Sequence, residues 1–203
     1  MLYQLQIIQT FKCIFFILQV DAHNIVPCWV TSDKLEYAAR TIRNKINSKL
    51  SEYLTEFPPV IKHPHSTEEK FNKTNWDTAL NDVLIDKSVG KVTWIQPGYR
   101  GAINELENFL NKRISNYNSK RNDPTCNALS NLSPWFHFGQ ISVQRCILEA
   151  AKYKSKHKES VESFCEEAII RRELSDNFCY YNDNYDSLKG AYNWAQETLD
   201  QHR

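Results

Sequence analysis

From Tyr99 to the end of the chain, apolar residues return at helical spacing and stop only at prolines, polar breaks and capping hydroxyls. No other feature constrains the fold as much. Ala102, Leu106, Phe109, Leu110 and Ile114 share one side of a segment from Tyr99 to about Lys120, allowing one break within it. Asn122-Asp123-Pro124 ends that segment. Ser142 is placed to cap a helix over Val143 to Lys154, Ser160 one over Val161 to about Tyr180, and Ser187 one over Leu188 to about Asp200. The expectation for 98–203 is an all-helical unit.

The first half reads differently. Cys13 to Val20 is an apolar run, best read as a buried strand over Ile14 to Val20 that ends at Asp21-Ala22-His23-Asn24. It is too short to span a bilayer. The chain's first charge, Lys12, lies in the middle of the apolar sequence, the run ends in Asp21, and no small-residue cleavage site follows, so it is not read as a signal peptide. Ile25 to Val30 reads as a second extended piece. Ser32 or Asp33 then caps a helix from about Lys34 to Leu54, with Leu35, Ala38, Ala39, Ile42, Ile46 and Leu50 inward, stopped by Phe57-Pro58-Pro59. Residues 60–75 read as loop, Trp76 to Leu84 as a short helix, Val89 to Ile95 as extended, and Pro97-Gly98 as a turn. Three parts result: 1–57 with the strand, 58–97 as connection, and 98–203 as the helical part. The fold class is mixed, mainly α.

Composition excludes several functions. Five glycines among 203 residues leave neither a G-x-G-x-x-G nor a G-K-[ST] phosphate loop. A net charge of +1 argues against general counterion-driven binding to nucleic acid, so any DNA contact must come from a local patch. Cys13, Cys28, Cys126, Cys146, Cys165 and Cys179 form no C-x-x-C and read as reduced, mostly buried thiols; the expectation is an intracellular chain, with nucleus and cytoplasm both open. His63 and His65 flank Pro64 without further ligands at zinc spacing, so no metal is expected. Asn72-Lys73-Thr74 and Asn131-Leu132-Ser133 match the glycosylation pattern, which a reduced-thiol chain gives no reason to use.

Three stretches carry candidate chemistry. In Ala128 to Ser142, Ser133-Pro134 looks like a helix start, with small polar side chains ahead of free backbone N–H groups. That suits a phosphate or pyrophosphate; a well-capped core helix is the alternative. In Glu166 to Phe178, Glu166, Ile170, Glu173 and Asn177 share one helical stripe, and Glu167, Arg171, Leu174 and Phe178 the next. These can line a polar pocket or form a solvated face with pairs such as Glu167 to Arg171. Tyr117, Lys120 and Arg121, with Lys112 and Arg113, make a basic patch holding an aromatic, which suits a phosphate backbone or plain solvated surface. Lys152, Lys154, Lys156 and Lys158 read as an exposed helix end.

The runs ALSNLSPWFHFGQIS, VDAHNIVPCW, EEAIIRREL and SDNFCYYN, with Tyr117 and Arg121, closely resemble class II cyclobutane-pyrimidine-dimer photolyases, in the same order and from about Val20 onward. The resemblance implies an all-helical FAD-binding segment preceded by the remnant of a Rossmann-like α/β antenna domain. It also implies light-dependent repair of pyrimidine dimers by electron transfer from reduced FAD. The implied partner is damaged DNA with the dimer flipped out of the duplex, bound by a monomer with no metal and no membrane.

By that resemblance, Tyr117, Leu129, Ser130, Asn131, Leu132, Ser133, Gln140 and Arg172 contact FAD. Arg121 fills the gap left by the flipped dimer, and Glu166 or Glu167 hydrogen-bonds the dimer. Trp135 and Trp194 do not match the family's redox tryptophans; Trp135 reads as core packing and Trp194 as part of a half-exposed helix face. Family members begin earlier and continue later, so the expectation is an incomplete copy with half a flavin pocket, leaving open the apolar faces of Phe164, Ile169 and Leu199. Two alternatives stay open: a non-enzymatic remnant without flavin, and a cryptochrome-like flavoprotein.

Overall fold

The computed structural model describes residues 4–10, 13–62, 64–65, 72–86 and 88–203. Lys12 and His63 lie outside them. Two units are distinguished: residues 1–56 with 97–203, and residues 57–96.

The first unit opens with an antiparallel pair, β1 (Gln4–Thr10) and β2 (Cys13–Gln19), in which Gln4 faces Gln19 and Thr10 faces Cys13. The strand expected at Ile14 is present. Its partner is a neighbouring antiparallel strand, and among the described residues no parallel βαβ unit of a Rossmann-like domain is formed.

The expected extended piece after it is instead a single helical turn, α1 (Cys28–Thr31). The N–H groups of Ile25 and Val26 are taken by the Glu173 side chain, at 2.8 and 3.4 Å, and not by a sheet neighbour. The next helix starts later than its sequence suggests, as α2 (Ala39–Asn47) followed by α3 (Leu50–Tyr53). Ser32 does not cap it. Its hydroxyl donates to Glu36 at 2.7 Å, and Lys45 donates to Glu36 at 2.6 Å and to Ser32 at 3.0 Å. The backbone over 34–36 is held from outside, because Asn177 donates to Lys34 O and accepts from Glu36 N. Backbone groups captured by a distant side chain are not free for helical pairing.

The second unit holds α4 (Trp76–Asp82), whose Asn75 side chain accepts from Thr78 N. Val89 to Ile95 forms no strand.

The core is built by α5 (Gly98–Asn108), a π turn (Phe109–Arg113) and α6 (Ile114–Lys120), packed on α9 (Lys158–Cys165), a second π turn (Glu166–Arg171) and α10 (Arg172–Tyr181). Ala102, Leu106, Phe109, Leu110 and Ile114 are all buried, on the face their spacing marks. Phe109, Tyr117 and Phe164 form a ring cluster with centroids 5.1 to 5.9 Å apart. Phe164 and Ile169, expected to be left open, are therefore closed into the core, while Leu199 stays exposed.

Helix α7 (Ser133–His137) packs on α5, and α8 (Val143–Ala151) on α9 and the second π turn; α8 is capped by Ser142, which accepts from Arg145 N at 3.2 Å. Ser160 caps nothing. Helix α9 begins two residues earlier, and Ser160 accepts from Asn118 N on α6, tying the two helices together. Ser187 likewise precedes only a 3-10 turn (Leu188–Gly190), and α11 (Asn193–Gln201) starts after Tyr192. No helix among the described residues is long and apolar enough to cross a membrane.

Candidate functional site

A cavity of about 470 Å³ opens between α6, the 122–131 loop, the start of α7 and the α9–α10 helix. Its walls are Tyr117 from α6 with Arg121 and Asn122 just after it, Leu129, Ser130 and Asn131 from the loop, Ser133 and Phe136 from α7, and Phe164, Glu167, Ala168 and Arg172 from the α9–α10 helix.

Eight of the residues singled out from sequence thus meet here. Three do not. Leu132 is wholly buried in the core. Gln140 turns away and accepts from Gly98 N at 2.8 Å, holding the start of α5. Glu166 faces α2, where the Arg43 guanidinium donates to both its oxygens, at 2.6 and 3.1 Å. That fork holds Glu166 below the ordinary carboxylate range.

The loop is shaped by local chemistry. Asn131 has φ +59°, a left-handed conformation that asparagine tolerates better than most side chains. Arg113, mostly enclosed, pairs with Glu105 and also reaches the Ser130 carbonyl at 3.4 Å, so the loop is anchored on the first π turn. Ser133 is the first residue of α7, not its cap, and makes no capping bond. With only five residues α7 has little dipole of its own. Polar groups for an anion here come from side chains and not from a helix end: Ser130, Asn131, Ser133 and Arg172.

Arg172 is the most telling of these. Its Nε donates to Ala168 O at 3.0 Å, but Nη1 and Nη2 are buried without a hydrogen-bond partner. Burial lowers its proton affinity from the ordinary guanidinium value. A buried cation with unused donors beside a cavity is a standing demand for an anion.

Arg121 pairs with Glu167 at 2.9 Å and sits over the Tyr117 ring, 6.0 Å from its centroid. Burial raises the Tyr117 phenol above its usual range. The pair Glu167 to Arg171, allowed by helical spacing, is not made, because Arg171 turns to Glu166 at 3.5 Å.

Sequence reasoning missed Asn122, Phe136, Phe164 and Ala168 as wall residues, and Arg113 as the loop's anchor. Glu173 and Asn177 were placed on a possible pocket stripe. They are instead the buried struts that hold the N-terminal segment. Spacing put them on one face but could not say what that face meets. Among the described residues no group of three or more His, Cys, Asp or Glu could hold a metal ion.

No family model matches the chain. Curated deoxyribodipyrimidine photo-lyases do. The one from Potorous tridactylus is 55% identical over 185 residues, covering 91% of this chain and 35% of the relative. The one from Arabidopsis thaliana is 48% identical over 194 residues, covering 91% and 39%. The one from Methanothermobacter thermautotrophicus is 35% identical over 184 residues, covering 91% and 40%. The chain is therefore a relative of the deoxyribodipyrimidine photo-lyases and matches a segment of between a third and two fifths of their length.

Proposed function

We propose that this chain forms the cofactor-phosphate and DNA-facing part of a class II photolyase acting on cyclobutane pyrimidine dimers. The observation that carries the reading is the single cavity that gathers Tyr117, Arg121, Leu129, Ser130, Asn131, Ser133, Glu167 and Arg172. Its residues fit the diphosphate of FAD: hydroxyl and amide donors come from the loop and α7, and the Arg172 guanidinium, whose Nη1 and Nη2 have no hydrogen-bond partner, from the α9–α10 helix. When bound, FAD supplies the light-driven electron for splitting the dimer.

The protein's share is binding and charge. Ser130, Asn131, Ser133 and Arg172 hold the diphosphate. Arg121 and Glu167, paired at the cavity wall, face the DNA. In that role Arg121 occupies the gap in the base stack, and Glu167 hydrogen-bonds the flipped dimer and steadies charge developing on it.

The test is titration of the purified chain with FAD, followed by flavin fluorescence, with ADP-ribose as competitor. Saturable binding, displaced by ADP-ribose and lost in Arg172→Ala, is expected. A chain that takes up no flavin would be a non-enzymatic remnant. In a protein of full family length carrying this segment, bound flavin without dimer repair would favour the cryptochrome-like alternative.

A further inference from the structure

Arg172 stands between the cavity and a polar cluster that the proposed function does not use. Behind it, Asp176 Oδ2 lies 4.0 Å from Arg172 Nη1 and 2.8 Å from His23 Nδ1. One carboxylate is thus shared between a buried guanidinium and a half-exposed imidazole, whose side chain is 53% accessible.

The other groups around Arg172 are committed elsewhere. Asp21 accepts from the N–H groups of His23, Asn24 and Cys28 and from the Asn24 side chain. Glu173 accepts from Ile25 and Val26 N–H. The Cys28 thiol, pushed up to about 12 by burial, stays neutral. Tyr117, Arg121 and Glu167 line the same cavity. Around His23, besides Asp176, are Asp21, His137 and Tyr180.

We infer that Asp176 and His23 are positioning residues for Arg172, setting how much of its charge is offered to an anion in the cavity. This rests on the proposed reading of the cavity as a diphosphate site. With His23 neutral, the Asp176 charge falls on Arg172 and competes with the ligand. With His23 protonated, Asp176 is neutralised by a closer partner, and Arg172 is released toward the cavity. Linkage makes the effect reciprocal: an anion that binds better when His23 is protonated must raise the proton affinity of His23 by the same factor.

The probe is FAD, whose diphosphate diester keeps its charge between pH 6 and pH 8. Glu173 can also lose a proton over this interval, so the measurements are made in the Glu173→Gln background. There FAD binds about fivefold more tightly at pH 6 than at pH 8, at the low end of couplings between linked sites. Adding His23→Gln brings that ratio close to one. Adding the isosteric Asp176→Asn gives tight binding at both pH values. The imidazole NMR titration of His23 moves to higher pH when FAD is added.

An unchanged pH ratio in the His23→Gln variant, or weaker binding with Asp176→Asn, overturns the inference while leaving an Arg172-dependent flavin site standing. Absence of saturable FAD binding, or binding indifferent to Arg172→Ala, removes the diphosphate reading and this inference with it.

Discussion

Glu173 shows what a single residue can do that its neighbours in sequence do not announce. It is 2% exposed, one oxygen holds two backbone N–H groups, and the other has no partner. Burial pushes its carboxyl up to about 7, from 4.5. A folded-state value above the unfolded one favours the protonated form, so the stability it confers is complete below about pH 4.5. It is lost as pH rises through about 7. The interval corresponds to on the order of 3 kcal/mol. Glu173→Gln keeps the acceptor for Ile25 and Val26 and cannot ionise. Its unfolding free energy, measured by urea titration from pH 4.5 to 8, is expected to fall less steeply with pH than the wild type's; parallel curves would refute the assignment. At the same scale the sequence left Glu166 and Glu167 indistinguishable, since adjacent acids on a helix carry no sign of which way each faces. The Arg43 fork occupies Glu166, and Glu167 faces the cavity. In a full-length protein carrying this segment, Glu167→Gln should lower repair per photon several-fold with flavin content unchanged. Glu166→Gln should leave repair near wild type and cost only a little thermal stability. The reverse pattern would place the dimer on the other acid.

The elements were legible where a periodic apolar face met its own partner, and illegible where a distant side chain intervened. The face of α5 and α6 is buried as its spacing indicates. The start of α2, by contrast, is displaced by Asn177, a residue 141 positions away from Glu36. The π turns left no signal in composition, yet they shape the cavity. In a regular α-helix, residues four apart drift by about 40°. A wider turn over Glu166–Arg171 offsets that drift, so that Phe164, Ala168 and Arg172 line one wall. Gly190, in the turn leading to α11, is held at the limit of close approach. A Cβ there would lie 2.5 Å from the Asn184 carbonyl oxygen and 3.2 Å from the Phe178 ring. Because the nearest atom is backbone and not the end of a flexible side chain, the turn itself must shift. Gly190→Ala should therefore destabilise the protein by about 1–3 kcal/mol, read as a lowered urea midpoint. An unchanged midpoint would mean that the 182–190 turn rearranges freely.

At the scale of the molecule, the first unit is a non-contiguous fold whose two stretches are joined by polar struts. Glu173 reaches Ile25 and Val26, Asn177 reaches Lys34 and Glu36, and Tyr181 donates to Ser32 O at 2.6 Å. Residues 1–56 group with 97–203 because these contacts cross about 150 residues. Within the first unit, Thr55 and Gly98, which flank residues 57–96 in sequence, are held by the same short piece of chain. Gln144 donates to Thr55 O, and Gln140 accepts from Gly98 N. Closure of a loop between fixed ends costs only about 0.6 kcal/mol per doubling of its length. Excising most of 57–96 should therefore change the unit's stability little, since its own struts, core rings and cavity walls lie entirely in 20–56 and 97–203. The expected result of replacing 58–95 with a linker of about eight Gly and Ser residues is one cooperative urea transition, with stability within about 1 kcal/mol of the intact chain. FAD affinity should be unaltered. Loss of cooperativity, or loss of FAD binding with the fold retained, would show that the excised residues support the unit or the cavity in a way its internal contacts do not account for.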